Sequence, residues 1–146
     1  DKFNEIRSYC FIGQRRPLYC TGLGKALLTG RTNEEIRELI NEEQMVPYTN
    51  NTLTSINALI EDVAVSRQRG YSIDNEEVEL GMRCVAAAIK DYRNTVIAAV
   101  STSWDIEQYD EDMTIRNAGY VKEAAHAISL RMGCRSRTTP ERSFVR

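Results

Sequence analysis

Cys84-Val-Ala-Ala-Ala-Ile-Lys-Asp-Tyr-Arg-Asn-Thr-Val-Ile-Ala-Ala-Val-Ser-Thr-Ser103 reads as two apolar runs on either side of Asp91-Tyr-Arg-Asn94. Asp and Asn suit tight turns, so Cys84–Ile89 and Thr95–Ser103 are expected to form an antiparallel hairpin. Just upstream, Tyr71-Ser-Ile73 is a further short strand, followed by the acidic stretch Asp74-Asn-Glu-Glu-Val-Glu79. Four carboxylates therefore stand directly before a strand that begins with a thiol. Asp74 is placed close to a sheet end, where ligand sites are common, while Glu76, Glu77 and Glu79 are expected to be solvated.

Helical signals surround this sheet. Thr21 can cap a helix whose first turn holds Gly22 and Gly24 and whose body is Ala26, Leu27 and Leu28. Thr32-Asn-Glu-Glu35 has the spacing of a capping box ahead of the stripe Ile36, Leu39, Ile40. A third helix starts near Thr54 or Ser55, buries Ile56, Leu59, Ile60 and Val63, and stops at Gly70. The last runs from Ile115 to Met132 with Ala118, Val121, Ala125 and Ile128 inward and Gly133 as its stop. Ile6 to Ile12 alternates like a strand ending at Gly13, and a domain opening so abruptly is expected to be a fragment of a longer protein. The order of elements predicts an α+β domain: a mostly antiparallel sheet with helices packed on it.

Composition narrows the function classes. The chain has 146 residues, enough for one domain burying roughly two thirds of its unfolded surface. A net charge of −2 leaves no basic footprint for nucleic acid. Cys10, Cys20, Cys84 and Cys134 are scattered, and His126 is the single histidine, so neither a zinc site nor a Cys/His pair is expected. With no signal peptide or long apolar segment, the cysteines are expected to be cytosolic thiols.

Three constellations could hold a ligand. Thr21-Gly-Leu-Gly-Lys25 presents N–H groups at a helix start that could receive a small carboxylate, or could simply pack. Ser101 and Ser103 share one face at the end of an apolar strand, where their hydroxyls meet either a polar ligand or neighbouring backbone. Asp74 could face a ligand or cap the loop after its strand, and Cys84 reads first as a small core residue.

In order and spacing, Arg15-Arg-Pro-Leu-Tyr-Cys-Thr-Gly-Leu-Gly-Lys-Ala-Leu-Leu28, Tyr48-Thr-Asn-Asn-Thr52, Arg69-Gly-Tyr-Ser-Ile-Asp-Asn-Glu-Glu77, Gly81-Met-Arg-Cys-Val-Ala86 and Ala98-Ala-Val-Ser-Thr-Ser103 resemble the effector-binding domain of the IclR family of bacterial transcription regulators. The resemblance implies a profilin-like or GAF-like domain over residues 1–133, with 134–146 a flexible tail. It implies contact with DNA only through an N-terminal winged helix-turn-helix absent from this chain. It further implies association as homodimers or homotetramers, a cytoplasmic location, no membrane contact, and a repressor in which a small organic acid changes the oligomer arrangement and so alters DNA binding. Carried onto this sequence, the site comprises backbone N–H groups of Gly22 and Leu23 with the side chains of Asp74, Cys84, Ser101 and Ser103; no cofactor or metal is expected. The residue between the glycines is often small in members that bind two- or three-carbon acids, whereas here it is Leu23. Two competing classes are an enzyme domain using Cys84 or Asp74, for which no base–nucleophile pair is visible, and an oligomerisation module with an empty pocket.

Overall fold

The computed structural model describes residues 12–106 and 112–135. Apart from Ile12, the expected strand Ile6–Ile12 lies outside the described residues, as does the tail beyond Arg135. The elements are α1 (Gly22–Leu28), α2 (Asn33–Leu39), a 3-10 turn (Glu42–Gln44), α3 (Ile56–Arg69), β1 (Ser72–Asn75), β2 (Met82–Lys90), β3 (Val96–Asp105) and α4 (Asp112–Arg131).

Local chemistry sets the helix ends. The side chains of Thr21, Thr32 and Ser55 accept the N–H groups of Gly24, Glu35 and Ala58, and Glu35 returns the bond to Thr32 as a full capping box. Gly70 ends α3 with a left-handed φ of 83°, which only glycine adopts without strain.

Among the described residues the sheet is an antiparallel meander in the order β1-β2-β3. Its register pairs Asp74 with Cys84 and Cys84 with Ser103, and continues through Ser72, Ala86 and Ser101. Because side chains alternate across a strand, these residues share one face. The opposite face carries Val85, Ala87, Ile89 and Trp104, which form an apolar core with Val121 and Ala125 of α4. A second core joins Tyr19, Cys20, Leu28, Ile36, Leu59 and Val63 beneath α1, α2 and α3. The sheet thus lies between α1 and α4. No helix among the described residues is long and apolar enough to cross a membrane.

Expectations shift at several places, among them the start of β2, at Met82 and not Cys84, and the start of α4, at Asp112 and not Ile115. β1 covers Ser72–Asn75, one residue later than Tyr71–Ile73 at its start and two at its end, which puts Asp74 inside the strand. β3 continues to Asp105, so Ser101 and Ser103 are interior positions; pairing with Met82 and Arg83 on β2 carries the strand past the apolar run. Ile128 is 39% exposed, and the buried position is its neighbour Ser129. The irregularity in the ladder between Ile89 and Lys90 explains that exchange. Ser129 Oγ accepts the Lys90 N–H at 2.9 Å and donates to the Ala125 carbonyl at 2.7 Å. Removing that hydroxyl with Ser129→Ala is expected to cost about 1–3 kcal/mol by stranding a backbone donor. Ile128→Ala should change stability by less than about 1 kcal/mol, and urea denaturation of both variants checks the contrast.

Candidate functional site

The start of α1 packs close to the sheet because its glycines permit it. A Cβ on Gly22 would stand 2.9 Å from Cys84 Sγ, and one on Gly24 would stand 2.5 Å from the Leu18 backbone. Ser72 Oγ donates to the Gly22 carbonyl at 2.6 Å, fastening β1 to the helix start. The helical ladder begins with Lys25 N–H on the Thr21 carbonyl at 3.0 Å. Gly22 and Leu23 precede that ladder, so their N–H groups have no carbonyl one turn back.

Between this helix start and the sheet lies a cavity of about 110 Å³. Gly22, Leu23, Asp74, Cys84, Ser101 and Ser103 all line it. Leu23, Asp74, Cys84 and Ser101 are half-buried, and Ser103 is exposed. No hydrogen bond joins either seryl hydroxyl to a described residue, so the backbone-bonded alternative for them is not realised. Val78 and Met82 add an apolar wall.

Asp74 does both things that its position allowed. It lines the cavity, and its Oδ1 accepts the Glu77 N–H at 2.8 Å, capping the loop. Burial pushes its carboxyl above the usual aspartate range, against the lowering effect of that N–H and of Lys25.

Glu77 corrects the expectation of a solvated acid: it is 5% exposed. Its Oε1 accepts from Lys25 Nζ at 2.6 Å, and the same ammonium is 3.0 Å from Asp62 Oδ2 on α3. Lys25 is fully buried, so it needs this pairing and turns the loop acid inward to supply it. Burial pushes the Glu77 carboxyl up to about 7, with the Lys25 charge opposing and the Asp74 charge adding. Glu76 and Glu79 are half-buried. Thr49 and Thr52 hold the acidic loop from the other side by donating to the carbonyls of Glu76 and Glu77.

Two arginines complete the lining where sequence reasoning placed none. Arg16 lines the cavity from the segment that leads into α1, six residues before Gly22, and Arg83 bridges Asn75 Oδ1 at 2.9 Å and Thr114 Oγ1 at 3.0 Å. The signal for Arg16 was the pair Arg15-Arg16 just ahead of Pro17; a cation there complements a helix start in drawing an anion.

Nothing in this lining resembles a catalytic set. Cys20, Cys84 and Cys134 are thiols outside any disulfide, His126 is exposed on α4, and no cluster of three potential metal ligands occurs among the described residues. Burial, followed by the charges of Asp74 and Glu77, pushes the Cys20 thiol up to about 12, which leaves it inert.

Residues 1–130 match the family described as the C-terminal region of the bacterial transcriptional regulator IclR. The chain is 36% identical over 133 residues to the HTH-type transcriptional regulator KdgR of Dickeya chrysanthemi, covering 91% of this chain and 44% of that protein. It is 38% identical over 122 residues to the transcriptional repressor IclR of Escherichia coli strain K12, covering 84% of this chain and 44% of that protein. Among solved structures, the Agobacterium tumefaciens repressor BlcR superposes with a TM-score of 0.82 at 31% identity, covering 88% of this chain and 52% of that one. The chain spans about half the length of the curated relatives it matches. These relatives are transcription regulators, not enzymes, and their effector domains share the α+β, GAF-like architecture. The chain therefore belongs to the IclR family of bacterial transcription regulators and corresponds to the family's C-terminal domain.

Proposed function

We propose that residues 1–133 are the sensing domain of a cytoplasmic, DNA-binding repressor, and that a small organic acid is its effector. One observation carries the reading: a helix start, an arginine and two unengaged seryl hydroxyls meet at one small cavity. The carboxylate of the acid is received by the N–H groups of Gly22 and Leu23 with the Arg16 guanidinium, and Ser101 and Ser103 bond its other oxygens. Leu23, Val78 and Met82 contact its carbon skeleton. A cavity of about 110 Å³ suits a molecule of roughly benzene size or smaller. With about six heavy atoms and a ceiling near 1.5 kcal/mol per atom, affinity is roughly micromolar or weaker.

The signal leaves the domain through the arrangement of subunits in a homodimer or homotetramer, and DNA is contacted by an N-terminal domain outside this chain. An effector shifts that arrangement only through its differential affinity for the two forms, a coupling of about 1–3 kcal/mol. Calorimetry with pyruvate, glycerate and benzoate tests the site. A hydroxy or oxo acid that binds the wild type should lose about tenfold in affinity in Ser101→Ala/Ser103→Ala, since each lost hydrogen bond to a neutral oxygen is worth about 0.5–1.5 kcal/mol, while benzoate, with no oxygen beyond its carboxylate, should lose less. Equal binding to both proteins would remove the serines from the site.

A further inference from the structure

Beside the cavity, two carboxyls share one buried ammonium and a third stands next to them. Asp62 from α3 and Glu77 from the acidic loop both contact Lys25 Nζ, and Asp74 is joined to Glu77 through the Glu77 N–H. Fully ionised, Asp62, Asp74, Glu77 and Lys25 would carry a net charge of −2 (three carboxylates and one ammonium). Arg16, ahead of α1, is exposed and only partly offsets it. Arg83 of β2 and Arg69 at the end of α3 face Glu77 across a second, open cleft, each already engaged by side-chain or carbonyl oxygens. Cys20 and Cys84 flank Asp74, and Glu79 lies on the same cavity wall. Glu77 Oε2 is sealed from solvent with no hydrogen-bond partner, a costly position for an ionised carboxylate and a tolerable one for a neutral acid.

Resting on the sensing role proposed above, we infer that Glu77 is a positioning residue of the cavity, acting through Asp74 and Lys25 so that an organic anion entering beside Asp74 brings one proton with it. The anion supplies a further negative charge next to a cluster already over-supplied with acid. Taking one proton onto the Asp74–Glu77 pair restores the balance and removes the repulsion between Asp74 and the entering carboxylate. Lys25, held by Asp62, keeps the first turn of α1 against the acidic loop. The effector is therefore recognised together with its proton, and the domain responds to acid concentration and pH jointly.

Calorimetry with pyruvate, glycerate and benzoate, at pH about 6 and about 8 and in buffers of different ionisation heat, measures the proton directly. The expected result is uptake approaching one proton at pH about 8 and little at pH about 6, with affinity falling by up to about tenfold per pH unit above neutrality. Glu77→Gln keeps the size and the oxygen that Lys25 needs, and should bind with a pH dependence markedly flatter than wild type. Binding without proton uptake by the wild type would overturn the inference and leave the serine site standing. Binding of none of the three acids would remove both readings. Should Glu77→Gln fold poorly, the buffer-dependent heat of the wild type decides alone.

Discussion

Lys25→Met is expected to destabilise the domain by about 3–5 kcal/mol at pH about 8 and by far less at pH about 5. Methionine fills similar space with no charge, so Glu77 loses its cation while its Oε2 is sealed from solvent, and Asp62 loses it too, with Oδ2 equally sealed although the side chain as a whole is 30% exposed. The pH dependence follows from the sign of the linkage. Burial holds the folded Glu77 carboxyl at about 7, above the ordinary glutamate value of 4.5, so its favourable contribution is complete below the unfolded value and is lost as pH rises through 7. Without Lys25 the folded value moves higher still, and the deficit widens from pH about 5 to about 8. A loss of 3–5 kcal/mol corresponds to a fall of roughly 10–16 °C in Tm for a domain of this size. Thermal melts at the two pH values check it. Lys25→Met/Glu77→Gln should recover a large part of the loss at the higher pH, because it removes the uncompensated charge.

Gly24→Ala sets a propensity gain against a collision. Alanine in a helix is favoured over glycine by about 1 kcal/mol. At this position, however, the new methyl would lie 2.5 Å from Leu18 Cα and its carbonyl oxygen. Backbone cannot swing aside as a side-chain end can, so α1 must move off the Pro17–Cys20 segment or distort it. A net cost of at least about 2 kcal/mol is expected, together with a displaced cavity wall. Gly22→Ala meets Cys84 Sγ at 2.9 Å, the end of a short side chain, and should cost less. Chemical denaturation ranks the two; equal midpoints would contradict the close approach of Leu18 to α1.

How much of this was legible depended on the range of the interaction. Helix starts at Thr21, Thr32 and Ser55, and the stop at Gly70, were readable because each is fixed by residues within about one turn. The β2–β3 hairpin was readable for the same reason, from Asp91 and Asn94 at its turn. Strand ends were displaced by up to two residues because a partner strand, not the strand's own composition, decides where pairing stops. Ile128 was expected inward in place of Ser129 because the partner of Ser129, the Lys90 N–H, lies on a distant strand where the ladder is irregular. Glu77 was misread because the residue that buries it stands 52 positions earlier in the chain. The six expected ligand residues were grouped by the family resemblance; periodicity supplied the shared face of Ser101 and Ser103, but neither Arg16 nor the lysine beneath the site.

The two walls of the cavity also differ in how they come together during folding. Cys84, Ser101 and Ser103 sit in a hairpin closed by a short turn, whereas the Ser72–Gly22 bond that seats α1 on the sheet closes a stretch of 50 residues. Short-range pairing is reached early and long loops close late, so the strand wall forms first and α1 docks onto it. Lifting α1 would bare Leu28 of the second core and the buried Lys25 ion pairs, so once docked the helix belongs to the cooperative core. The amides of this seven-residue helix should therefore exchange with solvent far more slowly than those of an isolated peptide of the same length, which hydrogen exchange measures.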